Sequence, residues 1–140
     1  MSIPKLKNKL RDIFNKYIRL RDVDENGFGK CISCGNPLKY KAPNAQAGHY
    51  YPAPVEILRY NEANVNLQCK ACNHFKSGNL IEYRKGLIRK YGEETVQALD
   101  VLSDYYKSHG HRWDRFTLET KIKEYKDKIS KLSKHKMFKP

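Results

Sequence analysis

Cys31-Ile-Ser-Cys34 and Cys69-Lys-Ala-Cys72-Asn73 are the stretches that decide the fold of this 140-residue chain. A Cys-x-x-Cys turn brings two thiolates to one side of a tight knuckle, and two knuckles complete a tetrahedral zinc site with every coordination position filled. A closed site of that kind is structural, since no position remains for substrate. Gly35 and Asn36 follow the first knuckle and are suited to the left-handed backbone that such a turn requires. The alternatives for the same cysteines are a redox dithiol and a chance pairing. Gly35 to Gln68, the segment between the knuckles, is longer than a zinc ribbon needs, so a working element is expected inside it.

Composition narrows the class. Lys and Arg number 28 against 15 Asp and Glu, a formal charge of +13, and an excess that large on a small domain predicts a polyanionic partner. Nucleic acid is the first choice, because neutralising phosphates releases their counterions and supplies most non-specific affinity. A membrane partner is not expected: no apolar run approaches the ~20 residues of a span, and no lipidation motif or amphipathic aromatic segment is present. Met1 to Leu10 is basic and periodic without the apolar core of a signal peptide. The expected setting is therefore a reducing cytoplasm, where paired cysteines signal metal rather than disulfide.

The rest of the chain reads as α+β, organised as an N-terminal amphipathic helix (1–22), a zinc-stapled core (23–92) and C-terminal helices (93–140) within one compact domain. Ile3, Leu6, Leu10, Ile13, Phe14 and Tyr17 recur at helical spacing and predict a helix over 2–21. The turn-rich run from Asp24 to Gly29 follows it. Ala45 to Tyr51 reads as a short strand ending at Pro52, with Ile57 to Tyr60 or Val65 to Gln68 as its partner. Asn79 and Glu82 resemble a capping box ahead of a helix that buries Leu80, Tyr83, Leu87, Ile88 and Tyr91 and stops at Gly92. A helix from Glu93 to Lys107 buries Val96, Leu99, Leu102 and Tyr106. Another, from Thr117, carries Leu118, Ile122, Tyr125, Ile129 and Leu132 as a coiled-coil-like seam, open to its own domain or to a second subunit. Its other face is mostly lysine, and Lys134 to Pro140 is expected to fray.

His49, at the end of the predicted strand, is a candidate general base, because imidazole titrates near neutral pH. A hydrogen-bonded structural histidine or a competing zinc ligand would carry the same residue. The order of the surrounding residues favours the first reading. Cys-x-x-Cys, His49, Asn64 and Cys69-x-x-Cys72-Asn73 together resemble the HNH motif of the His-Me finger (ββα-metal) nucleases. That resemblance implies a small ββα-metal core stapled by the four-cysteine zinc site and flanked by helices. It gives His49 the role of activating water, Asn64 that of bracing the hairpin loop, and Asn73 that of holding a catalytic divalent cation, Mg²⁺ or Mn²⁺, separate from the zinc. The cation would act as a Lewis acid at the scissile phosphate, and an amide oxygen suits a hard ion.

Longer strings sharpen the likeness. Ala47-Gly-His-Tyr50, Leu58-Arg-Tyr60, Asn64-Val-Asn-Leu-Gln-Cys-Lys-Ala-Cys-Asn73, Lys76-Ser-Gly-Asn79, Glu82-Tyr-Arg84 and the lead-in Tyr17-Ile-Arg-Leu-Arg-Asp22 are similar to the phage NinG (Rap) recombination endonucleases. The similarity runs from about Phe14 to Leu99. It implies a structure-specific DNA endonuclease that cuts branched intermediates, Holliday junctions and D-loops, in the host cytoplasm of a phage or prophage. Two symmetric nicks at a four-way junction further imply a homodimer. Two departures stand out. Gly48 occupies the place where most HNH sites carry an acidic or histidine metal ligand, and this chain has only four cysteines, whereas NinG proteins commonly carry an extra cysteine-rich segment at the N-terminus. His74, Ser77, Asn79 and Glu56 are candidates for the missing ligand. Arg59, Lys70, Lys76, Arg84 and Lys85 are candidate DNA contacts. The alternatives are a general HNH nickase on linear DNA and a non-catalytic zinc module that binds DNA. A zinc nucleobase deaminase is excluded by the absence of a His-x-Glu element around His49.

Overall fold

Ser2 starts the first helix by accepting the Lys5 N–H at 3.3 Å, and Pro4 sits in the first turn where no intrahelical donor is needed. In the computed structural model, which describes residues 1–140, this helix is α1 (Ile3–Arg21). Two antiparallel hairpins follow: β1 (Phe28–Lys30) with β2 (Pro37–Lys39), then β3 (Ala45–His49) with β4 (Val65–Cys69). A π-helical turn, Ala71–Phe75, leads to α2 (Leu80–Tyr91), α3 (Glu93–His109) and α4 (Arg115–Ser133). The fold is mixed α+β, and no helix is long and apolar enough to cross a membrane.

The four cysteine sulfurs converge although the two knuckles are far apart in sequence. All four Sγ atoms lie within 4.8 Å of one another, with Cys34 and Cys69 3.8 Å apart. A tetrahedron of Zn–S bonds of about 2.3 Å has edges of about 3.8 Å, so the cluster can hold a structural metal such as zinc. The Cys34 and Cys72 N–H groups point at the Cys31 and Cys69 sulfurs at 3.5 and 3.4 Å, and Asn79 Nδ2 donates to Cys72 Sγ at 3.5 Å. Without a cation, backbone N–H groups outweigh burial and lower Cys31, whereas burial, reinforced by the neighbouring thiols, raises Cys69 to about 12 and disfavours its ionisation. A divalent cation reverses that preference. Of Gly35 and Asn36, only the glycine has a positive φ, 76°.

β4 is buried at all five positions. Val65 and Leu67 direct their backbone groups away from β3, and α1 and the first knuckle satisfy them. Asp22 Oδ2 accepts the Leu67 N–H at 3.0 Å, Arg21 donates to the Val65 carbonyl at 3.0 Å, and the Ile32 N–H donates to the Leu67 carbonyl at 2.9 Å. Arg21 and Lys90 outweigh burial and hold the Asp22 carboxyl below the usual carboxylate range. Helix α2 closes over the same region at very short range: a Cβ on Gly86 would stand 2.0 Å from the Ile32 carbonyl oxygen.

The seam of α4 packs on its own domain. Leu118, Ile122 and Tyr125 meet Leu6, Leu10, Phe14 and Tyr17 of α1, with Phe14 and Tyr125 edge to face at 4.9 Å. Between them Glu62 accepts from Tyr17, Tyr125 and Lys128 at 2.8 to 3.0 Å. A smaller cluster of Leu58, Tyr83, Leu87, Val96 and Leu99 joins α2 and α3 to the long hairpin loop.

Several sequence expectations need correction. The strand partner is Val65–Cys69, whereas Glu56–Leu58 forms a 3-10 turn. Asn79 adopts φ 45° and its side chain turns to Cys72 instead of closing a capping box. Leu80 and Ile88 are exposed. The segment after α4 does not fray: the Met137 N–H donates to the Glu25 carbonyl at 2.7 Å, Lys136 reaches the Val23 carbonyl at 2.7 Å, and Phe138 packs on Tyr40 at 5.4 Å.

Two outcomes follow from these constraints. A structural zinc on the four cysteines would contribute about 10–16 kcal/mol, as much as the ~5–15 kcal/mol net stability of a typical domain, so Cys69→Ser or a strong chelator is expected to abolish cooperative melting; elemental analysis with calorimetry reads both. Asp22→Ala removes the short-range carboxylate of Arg21 and Lys90 and the acceptor of the buried Leu67 N–H, and costs about 3 kcal/mol in chemical denaturation. Because the Asp22 value is lowered on folding, its stabilisation is complete above the ordinary carboxylate range and disappears as pH falls through the depressed value.

Candidate functional site: a trough across the second hairpin

The β3–β4 hairpin carries a long connection, residues 50–64, and Asn64 ties it into one shape. Its amide nitrogen donates to the Tyr51 and Leu58 carbonyls at 2.9 and 3.1 Å, and its oxygen accepts the Tyr51 N–H at 2.9 Å. Asn64 is fully buried, and these three bonds leave little of its hydrogen-bonding capacity unused. It braces the start of the loop against its end.

His49 lies at the last residue of β3. Its Nε2 is 2.9 Å from the Arg59 carbonyl oxygen. A carbonyl only accepts, so Nε2 carries the proton and Nδ1 of the neutral ring keeps a lone pair. Burial lowers the His49 pKa from its ordinary value, more than the Arg59 carbonyl raises it. The neutral form therefore prevails at neutral pH. His49 opens on a cleft of about 290 Å³ walled by Tyr50, Pro52 and Leu80, with Asn73 and Ser77 at its polar side.

Asn73 sits on the π-helical turn that the second knuckle launches. Its amide nitrogen donates to Gln46 Oε1 at 2.9 Å, and no protein donor reaches its Oδ1. That leaves one oriented oxygen able to meet a hard cation. Asn73 and Ala47 also border a second cleft, of about 520 Å³, whose far wall is α1. The two clefts share Ala47 and Asn73 and so adjoin, with His49 lining one and α1 the other; the pair is termed the trough.

Gly48 has a steric cause. A Cβ there would stand 1.9 Å from Gln68 Oε1, and Gln68 is fully buried with its amide nitrogen fixed by Ser33 Oγ and the Gly78 carbonyl at 2.9 and 2.7 Å. No side chain fits before His49. Among the candidates for a further ligand, Ser77 lines the His49 cleft; Asn79 is engaged by Cys72, and Glu56 pairs with Lys7 at 2.5 Å and Arg59 at 3.5 Å. His74 is exposed.

The predicted basic contacts divide into two groups. Lys70 and Lys76 are exposed and have no acidic partner, and Lys85 is exposed beside Glu82 at 3.2 Å. Arg59 is mostly covered in its pair with Glu56. Arg84 grips Asp100 through two parallel bonds, 3.1 and 2.9 Å, and also donates to Tyr50. Both arginines anchor the long loop, to its own helical turn and to α3.

Two contributors were not legible in the sequence. Tyr83 reads as a core residue at helical spacing, yet its hydroxyl donates to the Gly48 carbonyl at 2.6 Å and accepts from Asn66, fixing β3 from beneath. Asn15 and Arg19 on α1 line the trough; their four-residue spacing opposite the apolar stripe was the available signal.

The family model described as Bacteriophage Lambda NinG protein matches residues 3–135. Among similar proteins are the ninG proteins of Escherichia phage lambda, 38% identical over 119 residues, and Salmonella phage P22, 37% identical over 119 residues. These alignments cover 84% of this chain and 52% and 53% of the relatives. The ninG protein of Escherichia phage 933W is 39% identical over 100 residues, 71% of this chain and 44% of the relative. The chain thus spans about half the length of the curated relatives it matches. No solved structure matches it. Matched along nearly all of its length, the chain belongs to the NinG family of phage proteins.

Proposed function

We propose that this chain is a metal-dependent DNA endonuclease of the HNH type that cuts branched recombination intermediates. The observation that carries the reading is the pairing of His49 and Asn73 on one cleft, with His49 held by a backbone carbonyl in the tautomer that leaves Nδ1 able to take a proton. A hairpin that runs into a helical turn supports a ββα-metal reading, and the metal-competent cysteine cluster at its base is a separate staple. The choice of branched DNA rests on the resemblance to NinG recombination endonucleases, and DNA as partner rests on the charge of +13. A dimer that nicks both strands would use a surface other than the α4 seam, which α1 covers.

His49 takes the proton of the attacking water on Nδ1. The resulting imidazolium keeps its Nε2–H bond to the Arg59 carbonyl, which stabilises the charge as it forms. Asn64 keeps the loop that supplies this carbonyl in register with β4. Asn73 Oδ1 would help to hold a divalent cation, which when bound would supply Lewis-acid stabilisation of charge on the phosphate and leaving oxygen.

A specific observation favours the non-catalytic zinc module as second reading: Gly48 offers no ligand immediately before His49. Cleavage of a labelled four-way junction beside linear duplex, with Mg²⁺ or Mn²⁺, separates the two. His49→Ala is expected to lower the cleavage rate by about 100- to 10,000-fold while junction binding persists; binding without metal-dependent cutting by the wild type would establish the module. Selectivity for the junction over the duplex separates a junction enzyme from a general nickase. Because the His49 pKa lies below its ordinary 6.5, the rate holds as pH falls to that value and declines only below it. An acid limb centred above 6.5 would assign the base to another group.

A further inference from the structure

The trough does not end at Asn73. Its α1 wall carries Asn15 and Arg19, two residues that the fold leaves without the partners it gives their neighbours. Arg11, Arg21, Arg59, Arg84 and Arg115 each pair with a carboxylate, whereas Arg19, Arg89 and Arg112 do not. Of these three, Arg19 alone lines the trough. Its guanidinium is nevertheless positioned, 5.4 Å from the Tyr40 ring centroid and with Nε donating to the Asn15 carbonyl at 3.4 Å. One turn earlier, Asn15 has a buried Oδ1 with no hydrogen-bond partner and no protein acceptor for its amide nitrogen. Arg19 is a held cation without an anion, and the Asn15 amide nitrogen beside it is free to donate, a pair suited to an anionic oxygen; the Asn15 Oδ1, an acceptor, has to face away from it. A guanidinium matches phosphate geometry in particular.

We propose that Asn15 and Arg19 form a phosphate-anchoring subsite that grips the nucleic-acid backbone beside the reacting phosphodiester. This deepens the nuclease reading and rests on its placement of the reacting phosphate between His49 and Asn73. A strand laid along the trough continues past Asn73 and reaches α1, so the subsite fixes the register of the strand that is cut. Lys16, half-buried beside them and without an acidic partner, adds charge on the same helix. Asp12 opposes it: this carboxylate lines the same cleft, is 72% exposed, and pairs with Arg11 at 3.0 Å. It places a repulsive charge about two turns along α1 from Arg19, so a phosphate is favoured at Arg19 and disfavoured beside Asp12.

The test is equilibrium binding of a fluorescent four-way junction and a linear duplex to the zinc-loaded full chain without added Mg²⁺, from about 50 to 300 mM salt. Arg19→Gln keeps the stem over Tyr40 and removes the charge. It is expected to weaken binding about fivefold and to reduce the slope of log K against log salt by about 0.9, the share of one phosphate. Arg19→Lys keeps the slope, Asp12→Asn binds more tightly, and Arg89→Gln, outside the trough, behaves as wild type. Melting temperature and zinc content report folding for each variant. An Arg19→Gln slope and affinity equal to wild type would overturn the subsite. Weaker binding in Asp12→Asn would do so too, since it would show that this carboxylate assists binding instead of opposing it, and so would a wild type that binds neither DNA. An Arg19-dependent slope in a chain that cuts under no metal would retain the subsite and remove the nuclease reading.

Discussion

The outer edge of β4 is where the structure is decided. A two-stranded hairpin is marginal on its own, and β4 is buried throughout, so any backbone group it leaves unpaired costs about 1–3 kcal/mol. Arg21 and Asp22, at the C-terminal end of α1, and the first knuckle supply those partners. Helix, knuckle and hairpin therefore form together or not at all. A metal on the four cysteines secures the same assembly at its base, because those thiols join the first knuckle to the end of β4.

That rigidity has a use at the opposite end of the strand pair. β3 ends at His49, and the base is only as well placed as β3 is. The Gly48 carbonyl is held by the buried Tyr83 hydroxyl, the loop is closed by Asn64, and the ring is aimed by the Arg59 carbonyl. Each of these is a hydrogen bond to backbone or from a fully buried side chain, with few rotamers to wander into. Charged pairs serve the same purpose: Glu56 and Arg59 pair within the loop, and the Arg84–Asp100 pair between α2 and α3 holds it through Tyr50 and Tyr51. Open positive charge is left mainly to exposed lysines and to α1.

Sequence reasoning reached the elements whose signal is local. Helical periodicity located α1 to within a residue, and the Cys-x-x-Cys spacing foretold the sulfur cluster that the fold assembles. Features set by tertiary partners were not readable. Arg21-Asp22 appeared only as part of a family string, because nothing local says that a carboxylate ends against the Leu67 N–H. The Asn79-x-x-Glu82 spacing pointed to a cap, but Asn79 is drawn to the Cys72 sulfur. The tail after α4 looked featureless, and its order comes from partners distant in sequence: Val23 and Glu25 for Lys136 and Met137, and Tyr40 for Phe138. Of the candidate site, His49 and Asn73 were legible as residues; that they share a cleft, and that α1 walls its continuation, depends on how the hairpin lies against α1.

Gly48 and Gln68 carry a consequence for how such a site can evolve. The Gln68 carboxamide occupies the volume a side chain at 48 would need, with its nitrogen bound to Ser33 and Gly78. An acidic residue cannot enter at 48 while Gln68 stays, and a smaller residue at 68 alone leaves two buried acceptors without their donor. The two positions are locked against single steps. A lineage with this pair reaches the acid-before-histidine arrangement only by crossing a destabilised intermediate, so the glycine persists as a historical commitment and any additional metal oxygen must be recruited from elsewhere in the fold.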